Sequence, residues 1–207
     1  MSRTPQDARR WVDEGTTLLL DAVAGLDAPA YGEPTLLPGW TRQHLVAHVA
    51  ANADALGNLV RWAATGVPTP MYAGPEERAA GIERGPRLSA AELDRWLHGS
   101  TAELAAAMGR LTPEQWATEV TTAQGRTVPA TEIPWLRARE VCVHAVDLDL
   151  GITFADLPAD FLTALCEDVV AKRGQVPAVE GPLDQRVAWL TGRPHGLAGA
   201  PDLGAWL

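Results

Sequence analysis

The chain has 207 residues, 46% hydrophobic and 21% charged, with 19 glycines and 16 prolines, enough material for a packed core and too evenly mixed for a disordered or repetitive protein. Twenty-six acidic against 17 basic residues leave a net charge of −9, which repels phosphate backbones and anionic bilayers and argues against nucleic-acid and membrane partners. Cys142 and Cys166 are too few for a disulfide framework, the start MSRTPQDARR lacks the apolar core of a signal peptide, and no apolar run reaches the roughly 18 to 20 residues of a membrane span, so a soluble cytoplasmic protein is expected, with tryptophans enough to anchor a monomer.

Over residues 7–26, Trp11, Leu18, Leu19, Ala22, Val23 and Leu26 recur at helical spacing, with Gly15 completing the stripe. A loop then ends at Pro38-Gly39-Trp40-Thr41, where Thr41 suits an N-cap, and Leu45, Val49, Leu56, Leu59 and Val60 mark a second helix to about Ala64. Prolines and glycines punctuate residues 66–86, which read as a long, largely irregular connection of the kind that contributes to sites. Ser89-Ala90-Ala91-Glu92 is a capping box, opening a third helix through Leu93, Trp96, Leu97, Leu104 and Met108 to about Gly109. After a turn at Thr112-Pro113-Glu114-Gln115, residues 120–123 and 126–128 flank Gln124-Gly125 as a small hairpin or an extended loop. A fourth helix begins at 131–134, and a fifth follows Asp156-Leu157-Pro158 to Gly174. Residues 175–179 read as a strand and 184–192 as a last short helix. This order predicts a mainly α protein: an antiparallel four-helix bundle over 1–153 and a smaller C-terminal α+β domain over 154–207.

The fourth helix carries the chemistry. Its inner stripe is Ile133, Leu136, Glu140, Val143, His144 and Asp147, placing three ionisable groups on a face that ought to be dry. Glu140 and His144 stand one turn apart, and His48 lies on the apolar stripe of the second helix, so a bundle brings all three into one core. Two histidines and a carboxylate with a fourth position left open form a catalytic zinc pattern, although the same donors also serve iron. The residues alone equally allow a buried Glu140–His144 pair beside a satisfied core histidine, or His44 as ligand in place of His48. Asp147 and Asn52 are placed to orient His144 and His48. His98 and His195 are expected at the surface, and helical direction turns Cys142 away from the Glu140/His144 face.

The segments 37–50, LPGWTRQHLVAHVA, and 139–148, REVCVHAVDL, resemble the two metal-site helices of the mycothiol-dependent maleylpyruvate isomerases, within the DinB-like superfamily. Thr65-Gly66, Thr69-Pro70-Met71-Tyr72 and the stretch 122–130, TAQGRTVPA, resemble segments peculiar to those isomerases. The likeness covers about the first 155 residues. It implies a DinB-like bundle, zinc or another divalent ion on His48, Glu140 and His144, and mycothiol as the thiol cofactor. It further implies a catalytic arginine in the C-terminal part, for which Arg193 in Trp189-Leu190-Thr191-Gly192-Arg193 is the counterpart, although that part is short for the family and Pro194-His195 follows where smaller residues are typical. Arg126 and Arg84 are further candidates for holding the acidic substrate or the thiol, and either reads equally well as a solvated loop arginine.

The implied reaction belongs to the breakdown of gentisate-type aromatic compounds. A thiol of pKa about 8.5 becomes a thiolate on the metal, adds to the cis double bond of maleylpyruvate, and leaves after rotation to give fumarylpyruvate. Arg193 would hold a carboxylate and stabilise the enolate charge. A mycothiol S-transferase that stops after addition, and a non-catalytic zinc-binding sensor module, are the alternative readings.

Overall fold

The first helix starts where the sequence supplies both a cap and a rigid first residue. The Thr4 hydroxyl accepts from the Asp7 amide at 3.1 Å, the Asp7 carboxylate accepts from the Thr4 amide at 3.0 Å, and Pro5 needs no amide partner. In the computed structural model, which describes residues 3–204 and Trp206 without the side chain of Pro75, this helix, α1, spans Pro5–Val23. A short α2 (Ala28–Gly32) follows, and then α3 (Arg42–Thr65), α5 (Ala90–Gly109) and α7 (Ile133–Asp147) complete the bundle with α1. Helix α1 packs on α7, and α3 packs on both α5 and α7.

The capping box at Ser89 forms as expected, with the serine hydroxyl accepting from the Glu92 amide at 3.3 Å and the Glu92 carboxylate from the Ser89 amide at 2.8 Å. Residues 112–115 build a single helical turn, α6 (Pro113–Trp116), and the hairpin closes as β1 (Glu119–Thr121) antiparallel to β2 (Thr127–Pro129), with Val120 opposite Val128 and both buried. Gly15 completes the α1 stripe for a steric reason. A Cβ there would lie 2.4 Å from Cys142 Sγ and 2.8 Å from Val141 Cγ2, so the missing side chain is what lets α1 approach α7.

Two expectations need correction. The connection over 66–86 is not irregular throughout: it contains α4 (Pro75–Arg84), begun by Pro75 at its first position, with Glu76 and Glu77 in the first turn and Arg84 in the last, an arrangement that suits the helix dipole at both ends. Residues 175–179 form no strand. Gly174 turns the chain with φ 77°, Pro177 withholds an amide, and no strand lies beside the segment among the described residues. The described part of 154–207 is therefore a 3-10 turn (Phe154–Asp156), α8 (Ala159–Arg173), α9 (Leu183–Leu190) and irregular chain, while the only sheet among the described residues is the hairpin within the first part.

This C-terminal segment shares its core with the bundle. One apolar cluster joins Trp11 of α1, Trp135 and Val141 of α7, Phe161 and Leu165 of α8, and Val187 and Leu190 of α9. Arg173 fastens the tail, donating to the carbonyls of Leu190, Leu203 and Gly204 at 2.9, 2.7 and 2.9 Å. No described helix is long and apolar enough to cross a membrane.

Candidate metal centre

The start of α3 is tied to the end of α7 by Arg42, whose guanidinium donates to the carbonyls of Leu148 and Asp149 at 2.9 and 3.1 Å. Those carbonyls lie just past the helix end and lack intrahelical partners, which a cation there supplies. Tying these ends together sets His48 on the second turn of α3 against Glu140 and His144 on the last turns of α7. His48 Nε2 lies 3.0 Å from Glu140 Oε2, and His144 Nε2 lies 3.4 Å from the same oxygen. The two imidazoles meet edge to face with centroids 5.0 Å apart, and one donor atom from each of the three residues falls within 4.8 Å of the others. Ligands about 2.0 to 2.1 Å from a tetrahedral ion stand roughly 3.3 Å apart, and the two distances to the shared oxygen match that spacing.

His48 and His144 are buried, and Asp147 is fully so. Asp147 Oδ2 is 2.8 Å from His144 Nδ1, which fixes that nitrogen as the protonated one and turns Nε2 toward the site. Asp147 is itself gripped by Arg193, Nε to Oδ1 at 3.0 Å and Nη2 to Oδ2 at 2.7 Å. The remaining Arg193 nitrogen, Nη1, donates to the carbonyls of Thr191 at 2.6 Å and Trp206 at 3.0 Å. The loop before α3 adds a cover: Pro38-Gly39 forms a tight turn with Gly39 at φ 80° and the Trp40 amide bonded to the Leu37 carbonyl at 3.1 Å, and the indole ring stands edge-on to His48 at 5.4 Å.

The groups polarise one another. Burial by itself would raise the Glu140 carboxyl, but its bonds to His144 and His48 hold it well below the usual range. Burial keeps His48 below an ordinary imidazole in spite of Glu140. For His144 burial is outweighed by Asp147 and Glu140, which push it up to about 9. A metal-free site thus holds a proton on His144 that an incoming ion must displace, whereas His48 is already neutral near pH 7. Apparent Zn²⁺ affinity is therefore expected to climb about tenfold per pH unit from roughly pH 6.5 towards 9 and then to flatten, as measured by chelator-buffered titrations at pH 6.5, 7.5 and 8.5. A flat profile across that window would contradict the assignment of the proton.

Other residues singled out in the sequence lie elsewhere. His44 closes the N-terminus of α3, its Nδ1 3.2 Å from the Thr41 amide and 2.8 Å from the Thr41 hydroxyl, and is no member of the triad. Asn52 does not orient His48: its side-chain oxygen accepts from the buried Arg137 at 3.0 Å. Arg84 lies over the Trp96 ring, 4.7 Å from its centroid. Arg126 sits at the hairpin turn, where its charge is felt at Lys172 on α8. Neither forms an ion pair with the triad among the described residues. His98 and His195 are exposed. Cys142 faces α1, with Sγ 3.6 Å from the Trp11 carbonyl, and burial pushes its thiol far up.

Sequence patterning missed Trp40, Tyr72 and Arg78 as neighbours of the centre. The half-buried Tyr72 hydroxyl is pushed up by burial and then by the Glu140 charge, and it lies within reach of Arg78, whose charge is felt at His48 as well. A signal for Arg78 was present: Arg78, Gly81, Ile82 and Gly85 repeat at helical spacing behind a proline.

Residues 3–149 match the family model of the mycothiol maleylpyruvate isomerase N-terminal domain. A crystal structure of the mycothiol-dependent maleylpyruvate isomerase superposes with a TM-score of 0.92 at 35% identity, over 99% of this chain and 98% of that one. A histidine-to-alanine mutant of the mycothiol-dependent maleylpyruvate isomerase matches with the same values. No curated protein matches the chain. The family model spans well over half of the chain, and the fold agrees along nearly all of it. The chain therefore belongs to the mycothiol maleylpyruvate isomerase family.

Proposed function

We propose that this protein isomerises maleylpyruvate to fumarylpyruvate with mycothiol as its thiol and zinc on His48, Glu140 and His144, within gentisate-type aromatic catabolism in the cytoplasm. The observation that carries the reading is the buried convergence of two imidazoles and one carboxylate in a fold shared over 99% of the chain with an enzyme of that name. Three protein donors leave one position free, the arrangement of a catalytic rather than a structural zinc. When bound, the metal supplies a positive charge that keeps a coordinated sulfur in its thiolate form at neutral pH.

The chain's own groups do the rest. Glu140 and the two histidines hold the ion, while Asp147 keeps the His144 proton on Nδ1. Arg193 acts through Asp147: with its nitrogens committed to that carboxylate and to two carbonyls, it is a positioning residue, not a receptor for substrate. Trp40 limits water around His48.

The test is an ultraviolet assay of maleylpyruvate turnover by the zinc-loaded protein with and without mycothiol. The expected result is conversion to fumarylpyruvate only in the presence of the thiol, with all the mycothiol recovered. A stable thioether product would make the protein an S-transferase, and absence of turnover with metal bound would reject the substrate assignment.

A further inference from the structure

The proposed substrate is a seven-carbon chain ending in two carboxylates, and a site for it needs a cation removed from the reacting carbons. Most of the arginines near the triad are committed elsewhere. Arg193 is taken by Asp147 and two carbonyls, and Arg42 closes the end of α7. Arg139 pairs with Asp168 at 3.1 Å. Arg137 is only 1% exposed and donates to the Val49 carbonyl, Asn52 and Thr101. Arg78 differs: it is exposed, and among the described residues it forms no ion pair.

Helix α4 delivers Arg78 to this face. A Cβ at Gly81 would lie 3.3 Å from that of Ala51, and one at Gly85 would lie 2.4 Å from the Gln43 carbonyl oxygen and 2.7 Å from the Ala47 Cβ. The two glycines thus let α4 settle on the stretch of α3 that contains His48. Arg78 shares their face of α4, three residues before Gly81 and seven before Gly85, along with the buried Ile82. The register pairs Gly85 with residues 43–47 and Gly81 with Ala51, so Arg78 falls about one helical turn, roughly 5 Å, further along α3 than Ala51. That offset suits the far end of an extended diacid whose middle lies at the triad, and the Tyr72 hydroxyl feels the charges of both Arg78 and Glu140.

We propose that Arg78, with the Tyr72 hydroxyl beside it, is the receptor for the distal carboxylate of the acidic substrate. The inference rests on the isomerase reading for the identity of the substrate, but its test does not require turnover. Pimelate, a stable seven-carbon dicarboxylate, is titrated calorimetrically into the zinc-loaded protein at fixed pH and salt. Arg78→Gln is expected to weaken pimelate binding about ten- to hundredfold, Arg78→Lys to fall between it and the parent because a point charge lacks the guanidinium fork, and Tyr72→Phe to weaken binding severalfold. Zinc affinity of the three variants should stay within a few fold of the parent, since among the described residues Arg78 and Tyr72 bond to no ligand atom and act on the centre only through charge. Parental pimelate binding by Arg78→Gln, or no pimelate binding by the parent, overturns the proposal. The turnover assay of the parent decides the isomerase reading independently.

Discussion

His48→Ala is expected to bind zinc more than a hundredfold more weakly than the parent and to lose thiol-dependent turnover by about 10³-fold. The first figure exceeds the roughly 10- to 100-fold cost of removing an outer partner of a metal ligand, because one of only three donors disappears. The second follows from losing several kcal/mol of electrostatic stabilisation at about 1.4 kcal/mol per decade of rate. Burial already holds His48 below an ordinary imidazole, so its removal discards no favourable charge in the metal-free protein, and the fold should persist. Chelator-buffered zinc titration, circular dichroism and the turnover assay check the three parts. Parental zinc affinity in the variant would remove His48 from the centre and return the ligand question to other donors.

Arg193→Ala is expected to be the most destabilising single change near the centre, costing on the order of 3 to 5 kcal/mol. Asp147 is completely buried and its carboxyl is held down, against burial, by His144 and Arg193. Truncating the guanidinium leaves that charge with half of its compensation and frees the carbonyls of Thr191 and Trp206. The damage should reach the metal: Asp147 loses its anchor, His144 loses its fixed orientation, and zinc affinity should fall about 10- to 100-fold together with kcat. Arg193→Lys should recover part of the stability and little of the affinity, since one ammonium cannot reproduce the two-pronged grip on the carboxylate. Denaturant unfolding and zinc titration on both variants provide the check. A variant with parental stability and zinc affinity but lowered kcat would instead make Arg193 a group that touches the substrate.

Much of this was legible in one dimension because it depends on local spacing. The capping box at Ser89, the apolar stripes of the long helices, and the turn before Thr41 are contained within a few residues each, and the helices form where those patterns lie. Glu140, His144 and Asp147 stood out because ionisable groups recur on a face otherwise made of Ile133, Leu136 and Val143. Helix α4 was obscured by the glycines at 81 and 85, which lower helix propensity but serve the close approach to α3. The strand read at 175–179 met its local requirements in part and failed for want of a partner, because a strand is stabilised by a neighbour that no local pattern supplies.

The sequence by itself determined the bundle, its long helices and the residues able to hold a metal, since helix caps and periodic apolar faces act over one or two turns. Tertiary structure decided which of those residues meet. It set His48 rather than His44 against Glu140, gave Asn52 to Arg137, and turned Arg193 onto Asp147. It also laid Arg78 along α3 through two absent side chains. These pairings join positions up to 92 residues apart, and at such separations partner choice is settled by how helices pack and which buried charges must be neutralised.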